Sequence, residues 1–146
     1  MIEAVNLPRL QADASSAKVR AELSACGAVI IEGALSSAVI GALDHDLGAA
    51  FRAMTTGDGD FCGRHTKRFS SLLARSPATW RLALHEPILG AIEDVLIGSI
   101  DEPHCDCIQL NLTQAIEIEP GESAQILHRD ETMYPGAHPY ELMVNV

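Results

Sequence analysis

The amino-acid sequence predicts an α+β fold in which helices come first and strands last. Apolar residues recur at helical spacing through the first two thirds of the chain, and β-branched residues alternate with polar ones after Pro103. The order of elements does not suggest alternating βαβ units. At 146 residues, a single domain over 1–146 is expected, mainly helical over 1–102 and stranded over 103–146.

The first helix is predicted at residues 13–26. Ser15 or Asp13 can accept hydrogen bonds from the N–H groups of its first turn, and Gly27 can end it. Three residues fall on one face of this helix: Val19, Leu23 and Cys26. The apolar run at residues 28–31 then predicts a short buried strand.

A longer helix is predicted after Ser36, which can cap its first turn. Its apolar residues keep a helical stripe: Val39, Leu43, Leu47, Ala50, Phe51 and Met54. Residues 55–63 are rich in Gly and Asp, which predicts a loop. Two more helices are predicted at residues 77–85 and 87–97, each with a proline near its first turn, where the missing N–H costs nothing.

The last part of the chain predicts strands. Residues 105–118 alternate apolar and polar side chains, residues 119–122 form a turn, and residues 124–130 predict a second strand. A third strand is predicted at 140–146, after a loop with Pro and Gly. Because that strand stops in mid-pattern, we expect the chain to be the first part of a longer protein and to self-associate through an open edge near Val144.

Aliphatic side chains must build the core, because aromatic residues make up only 4% of the chain. The residues predicted to be buried are Val29, Ile31, Leu43, Leu47, Phe51, Leu89, Ile92, Leu96, Leu110 and Leu112.

Composition excludes several classes of function. Ten basic residues against twenty acidic ones give a net charge of −10, which argues against nucleic acids and anionic membranes as partners. No apolar run approaches the length of a membrane span, and the first residues do not resemble a secretory signal. We therefore expect a cytoplasmic protein whose four cysteines are reduced thiols.

The strongest local signal for chemistry is the pair His128 and Asp130. On a strand, residues two apart project from the same face, so an imidazole and a carboxylate would lie together. They are two of the three ligands of a 2-His-1-carboxylate site for non-haem Fe(II). From spacing alone, an exposed histidine and aspartate beside a turn is the alternative interpretation.

Several short stretches extend this signal: 27–31, 64–68, 73–77, 109–114, 120–122 and 125–130. Together they resemble the phytanoyl-CoA dioxygenase family of Fe(II)- and 2-oxoglutarate-dependent oxygenases. The resemblance implies a double-stranded β-helix, or jelly roll, with flanking helices. Strand spacing at residues 106–146 leaves room for about half of its eight strands, so the domain is expected to be incomplete.

The resemblance also implies roles for individual residues. His128 and Asp130 would bind Fe(II), and Gln125 would hold the cosubstrate 2-oxoglutarate, with Asn111 on the preceding strand as a further candidate. O₂ would be the second cosubstrate, and a small organic molecule would be hydroxylated. The family's second histidine ligand and its arginine lie further along than this chain extends, and His138 is a poor substitute.

Other interpretations remain open. The chain could be a non-catalytic fragment or pseudoenzyme, inactive for want of the distal histidine and arginine, or a cupin-like metal-binding module. Lys67 and Arg68 could face a carboxylate of the cosubstrate or substrate, or form a solvated basic turn. The run from His104 to Cys107 offers an imidazole and two thiols to zinc or copper, or simply begins a strand.

Overall fold

A computed structural model describes residues 6–130, 134–136 and 138–146. The fold is α+β, with two separate two-stranded sheets, and the described residues form no closed barrel. The elements in chain order are β1 (Arg9–Gln11), α1 (Ser16–Cys26), β2 (Ile30–Glu32), α2 (Ser37–Ala53), α3 (Gly59–Cys62), β3 (Thr66–Ser70), α4 (Leu72–Arg75), a 3₁₀ turn (Pro77–Thr79), α5 (Trp80–Ala83), α6 (Glu86–Leu96) and β4 (Gln114–Ile118).

The described residues fall into two compact units. The first unit consists of the described residues within Met1–Ser36, Leu82–Gln109 and Tyr134–Val146. The second unit consists of those within Ser37–Arg81 and Leu110–Met133. Each unit is therefore assembled from segments that are distant in sequence. Among the described residues, none of the helices combines the length and the apolar character needed to cross a membrane.

In the first unit, β1 and β2 pair in parallel on either side of α1, with Leu10 opposite Ile31. The caps of α1 confirm the prediction. The Ser15 side chain accepts a hydrogen bond of 3.4 Å from the Lys18 N–H, and Gly27 ends the helix with a φ of 73°. This βαβ arrangement was not predicted, because a strand as short as β1 shows no alternation that marks it in the sequence.

Helix α6 packs against α1 in the same unit, and Gly90 is the point of closest approach. A Cβ atom added at Gly90 would lie 2.6 Å from the Oγ atom of Ser16. The glycine therefore allows two helix backbones to approach more closely than any side chain would permit.

In the second unit, β3 and β4 pair antiparallel, with Thr66 opposite Ile118 and Ser70 opposite Gln114. Phe69 of β3 is buried, and its ring meets the Phe51 ring of α2 edge to face, with the ring centroids 4.7 Å apart. This aromatic pair is the contact that joins the sheet to α2 in a unit with few buried side chains.

The strand predictions for the last part of the chain were largely wrong. Of the predicted strand at 105–118 only β4 pairs, and the stretches 124–130 and 140–146 form no strand. The chain leaves β3 at Ser71, whose N–H donates to the Thr113 carbonyl, so β3 offers no partner to residues before Thr113. The jelly roll and the self-association through an edge near Val144 stay predictions.

The predicted core was right in part. Leu47 is buried, and seven others are partly buried: Val29, Ile31, Leu43, Phe51, Leu89, Ile92 and Leu96. Leu110 and Leu112 contradict the prediction, because they are 55% and 58% exposed. Both precede β4, where no strand among the described residues covers them.

Candidate metal-binding site

His128 and Asp130 lie in a segment that follows the turn at Pro120 and Gly121; we call residues 123–130 the site segment. The Nε2 atom of His128 is 3.5 Å from the Oδ1 atom of Asp130. The convergence of these two side chains, expected from their spacing, is therefore observed, although the segment is not a strand. Their role as metal ligands stays a prediction.

The imidazole of His128 is oriented by its own backbone neighbour. Its Nδ1 atom lies 2.8 Å from the carbonyl oxygen of Ile126. Because a carbonyl can only accept, Nδ1 donates the hydrogen bond, and the lone pair of the neutral ring is left on Nε2. Metal-bound histidines commonly donate their second ring N–H to a backbone carbonyl in this way.

The geometry of the pair suits a shared cation. Two ligand atoms that are each about 2.1 Å from one metal ion, at right angles, lie about 3.0 Å apart. The observed 3.5 Å between Nε2 and Oδ1 is close to this separation. Within residues 6–130, 134–136 and 138–146, no group of three or more His, Cys, Asp or Glu side chains is placed to hold a metal ion. The described residues thus bring together two candidate ligands.

The other two predicted site residues, Gln125 and Asn111, lie in different surroundings. The Nε2 atom of Gln125 donates a hydrogen bond of 2.7 Å to the Phe61 carbonyl, so Gln125 lies in the same unit as His128 and is held in place. Asn111 is exposed and precedes β4, so the expectation that it lies on a strand was wrong. The reason is again that β3 has ended before it could pair with this residue.

Phe61 also contacts His128. The two ring centroids are 5.3 Å apart and the ring planes are tilted by 58°. Local sequence features do not mark Phe61, because it lies more than sixty positions before His128, in a stretch rich in Gly and Asp for which a loop was predicted. Only the folded chain brings the two rings together.

The residue just before the site segment is Glu122, and its carboxylate accepts several hydrogen bonds. Glu122 accepts hydrogen bonds from the His65 N–H at 2.6 Å, from the Thr66 hydroxyl at 2.9 Å and from the Ser123 N–H at 3.0 Å. These donors, the His65 N–H first among them, lower the pKa of Glu122. The contacts fix the start of the site segment to the start of β3.

Lys67 lies on β3, so the interpretation of a solvated basic turn was wrong. Its ammonium group is 2.8 Å from Glu119 and 3.0 Å from Glu117, and these two carboxylates raise the pKa of Lys67. On the same strand, the Arg68 Nε donates to the Cys62 carbonyl at 3.1 Å. Both cations therefore already have partners within the protein.

Side chains that can bind ligands also lie at two other places. A cleft of about 380 Å³ in the second unit is lined by α2, Lys67 and Glu117, and its lining includes none of His128, Asp130, Gln125 and Asn111. In the first unit, Cys105 and Cys107 are free, exposed thiols, and the His104 ring stacks on Tyr140 with centroids 4.6 Å apart. Neither place assembles a metal-ligand set from the described residues.

A histidine and a carboxylate two residues apart, with side chains that converge, are compatible with two of the three ligands of a mononuclear metal site. Sequence comparison then gives the family. The family profile for phytanoyl-CoA dioxygenase matches residues 24–146, and the chain belongs to this family.

Individual relatives are fungal proteins named as dioxygenases. The chain is 31% identical over 137 residues to the multifunctional dioxygenase ausE of Penicillium brasilianum. This alignment covers 90% of this chain and 44% of that protein. The chain is 30% identical over 140 residues to the dioxygenase aneA of Aspergillus aculeatus, covering 91% of this chain and 46% of the relative. The dioxygenase FrzG of Cladobotryum sp is 34% identical over 106 residues, with 71% and 32% covered. The chain thus spans less than half the length of these relatives.

Proposed function

We propose that this chain is part of a non-haem Fe(II)- and 2-oxoglutarate-dependent dioxygenase that uses O₂ to hydroxylate a small organic substrate. The observation that carries the proposal is the approach of His128 Nε2 to Asp130 Oδ1, with the opposite ring nitrogen held by the Ile126 carbonyl. Membership of the family and the dioxygenase names of the relatives support it.

In this proposal, His128 and Asp130 hold the iron. When bound together with 2-oxoglutarate and O₂, the iron supplies the oxidising power for hydroxylation. The protein's task is to present Nε2 of His128 to the metal, and the hydrogen bond from Nδ1 to Ile126 serves this by orienting the ring. The Asp130 carboxylate contributes the negative charge that a divalent cation favours.

Gln125 is proposed as a contact for 2-oxoglutarate, and Asn111 as a second one. A carboxamide nitrogen carries two N–H donors. The hydrogen bond to the Phe61 carbonyl uses one of those of Gln125 and orients the group. The second N–H is left to donate to a carboxylate of the cosubstrate, which is attractive in a chain with a net charge of −10.

The test is a titration of the metal-free chain with Co(II), followed by calorimetry and by the visible absorption of the bound ion. We expect His128→Ala and Asp130→Ala each to weaken binding at least about 10-fold, because a lost ligand costs more than a lost supporting contact. His138→Ala is the matched control, since His138 is an exposed histidine whose Nε2 lies 3.2 Å from the Pro135 carbonyl. Equal binding by His128→Ala and the unmodified chain would refute the proposal.

A further inference from the structure

Phe61 is an aromatic residue in an unusual place. It lies in α3, a single turn that Asp58 caps by accepting a hydrogen bond of 2.8 Å from the Gly59 N–H. Its side chain is 65% exposed, although phenyl groups are usually buried. The ring therefore contributes little to the core, and its contacts are with the site segment.

This one residue contacts both Gln125 and His128. Its carbonyl oxygen accepts the 2.7 Å hydrogen bond from the Gln125 side chain, and its ring lies against the imidazole of His128 at 5.3 Å with a tilt of 58°. Tilted aromatic pairs at this separation are favourable beyond the area that they bury. The backbone and the side chain of Phe61 thus act on two different residues of the site segment.

The site segment needs such support because it lacks a sheet partner. Among the described residues, the strand pairs are β1 with β2 and β3 with β4, and neither includes residues 123–130. The hydrogen bond from His128 to Ile126 is local to the segment and moves with it. Glu122 holds the beginning of the segment, whereas Phe61 holds it at the level of the imidazole.

We propose that Phe61 is a positioning residue that sets the plane of the His128 imidazole for metal binding. It acts through His128, with its ring tilted by 58° against the imidazole, and its carbonyl accepts a hydrogen bond from the Gln125 side chain. The part of the inference that concerns metal affinity rests on the proposed function. The part that concerns the orientation of His128 does not, because it applies to the metal-free chain.

The first experiment addresses orientation in the metal-free 146-residue chain by NMR. We expect nuclear Overhauser contacts between the ring protons of Phe61 and those of His128 in the unmodified chain. Phe61→Leu should shift the ring resonances of His128, which His128→Gln assigns, whereas Phe61→Tyr should leave them close to their original positions. Absence of the contacts in the unmodified chain overturns the proposal even if Phe61→Leu does not fold.

The second experiment measures Co(II) affinity and the absorption spectrum of the bound ion for the same variants. Phe61→Leu should bind about 10-fold more weakly, as lost supporting contacts typically do, and Phe61→Tyr should restore both affinity and spectrum. Trp80→Leu, at a side chain that is 47% exposed, is the control for loss of an exposed aromatic. Unchanged affinity in Phe61→Leu overturns the positioning role. If the unmodified chain binds no Co(II) through His128, the proposed function fails, while the NMR result still decides the orientation.

Discussion

The carboxylate of Glu122 accepts a hydrogen bond of 2.6 Å from the backbone N–H of His65, which lies 57 residues earlier in the chain. The same carboxylate oxygen also accepts from the Thr66 hydroxyl. The Glu122 side chain therefore links the start of β3 to the residue that directly precedes the site segment.

Glu122→Gln should lower the thermal unfolding temperature at neutral pH and weaken its acid dependence. The donors around Glu122 lower its pKa from the ordinary value of 4.5. A carboxyl whose pKa is lower in the folded state stabilises the protein above the unfolded pKa, and this stabilisation is lost as pH falls through the folded pKa. Thermal unfolding followed by circular dichroism over the acidic range measures it. Glu93→Gln, at an exposed carboxylate of α6, should keep the acid dependence of the unmodified chain, and an identical profile for Glu122→Gln would contradict the prediction.

Gly63→Ala should lower the free energy of unfolding by about 1–3 kcal/mol from backbone strain alone, and more through steric clash. Gly63 has a φ of +85°, and a Cβ atom there would lie 2.6 Å from a Glu122 carboxylate oxygen and close against the Thr66 side chain. Gly27→Ala is the matched control, because Gly27 has a φ of +73° with nothing within 4 Å of an added Cβ. Denaturant unfolding should show a larger loss of unfolding free energy for Gly63→Ala than for Gly27→Ala. Equal losses would mean that the Glu122 and Thr66 side chains can shift to accommodate the added Cβ.

Gly90→Ala should destabilise the first unit although alanine is the better helix former. In an open helix position the change is expected to stabilise by about 1 kcal/mol, as Gly41→Ala in α2 should show, since nothing lies within 4 Å of its added Cβ. At Gly90 the new Cβ would meet the Oγ of Ser16 at 2.6 Å and its Cβ at 3.1 Å. A double-mutant cycle with Ser16→Gly should recover the loss. Additive effects would show that the helices do not meet at this point.

The 146-residue chain by itself should form little or no succinate from 2-oxoglutarate with Fe(II), ascorbate and O₂. The described residues bring together two ligand side chains, whereas the proposed site needs three. Fe(II) held by two ligands should bind weakly and leave 2-oxoglutarate poorly fixed. Robust succinate formation that His128→Ala abolishes would contradict this prediction, and would mean that a further side chain completes the ligand set.

Local signals predicted the longer helices α1, α2 and α6, whereas α3 lies in the predicted loop at 55–63, α4 was not predicted, and the predicted helix at 77–85 is a 3₁₀ turn followed by α5. Ser15 and Gly27 act within one turn of α1, so their identities mark its two ends without reference to the rest of the chain. The strands were predicted less well, because alternation of apolar and polar residues indicates that a stretch can form a strand but not which strand it pairs with. Leu110 and Leu112 alternate correctly and yet stay exposed, since β3 ends before it reaches them.

In the candidate site, too, local features could be predicted and long-range contacts could not. The spacing of His128 and Asp130 is a local property that predicted their convergence, and the two side chains do converge although the segment that carries them is not a strand. Phe61 and Glu122 were not selected, because their importance lies in contacts across more than fifty residues. Gly63, three residues before β3, was the signal that could have drawn attention to this link between Glu122 and β3, since glycine is common where another group approaches the backbone closely.

The pairing of Thr66 with Ile118 also has a consequence for the order of folding. Bringing these residues together closes a loop of 52 positions, 118 minus 66, whereas every contact within α2 spans about one turn. Long-range antiparallel pairing is slow compared with helix formation. On a ribosome, β3 must wait until β4 has emerged, so the region around His128 assembles last in its unit. Pulsed hydrogen exchange during refolding should accordingly protect the amides of α2 before those of β4.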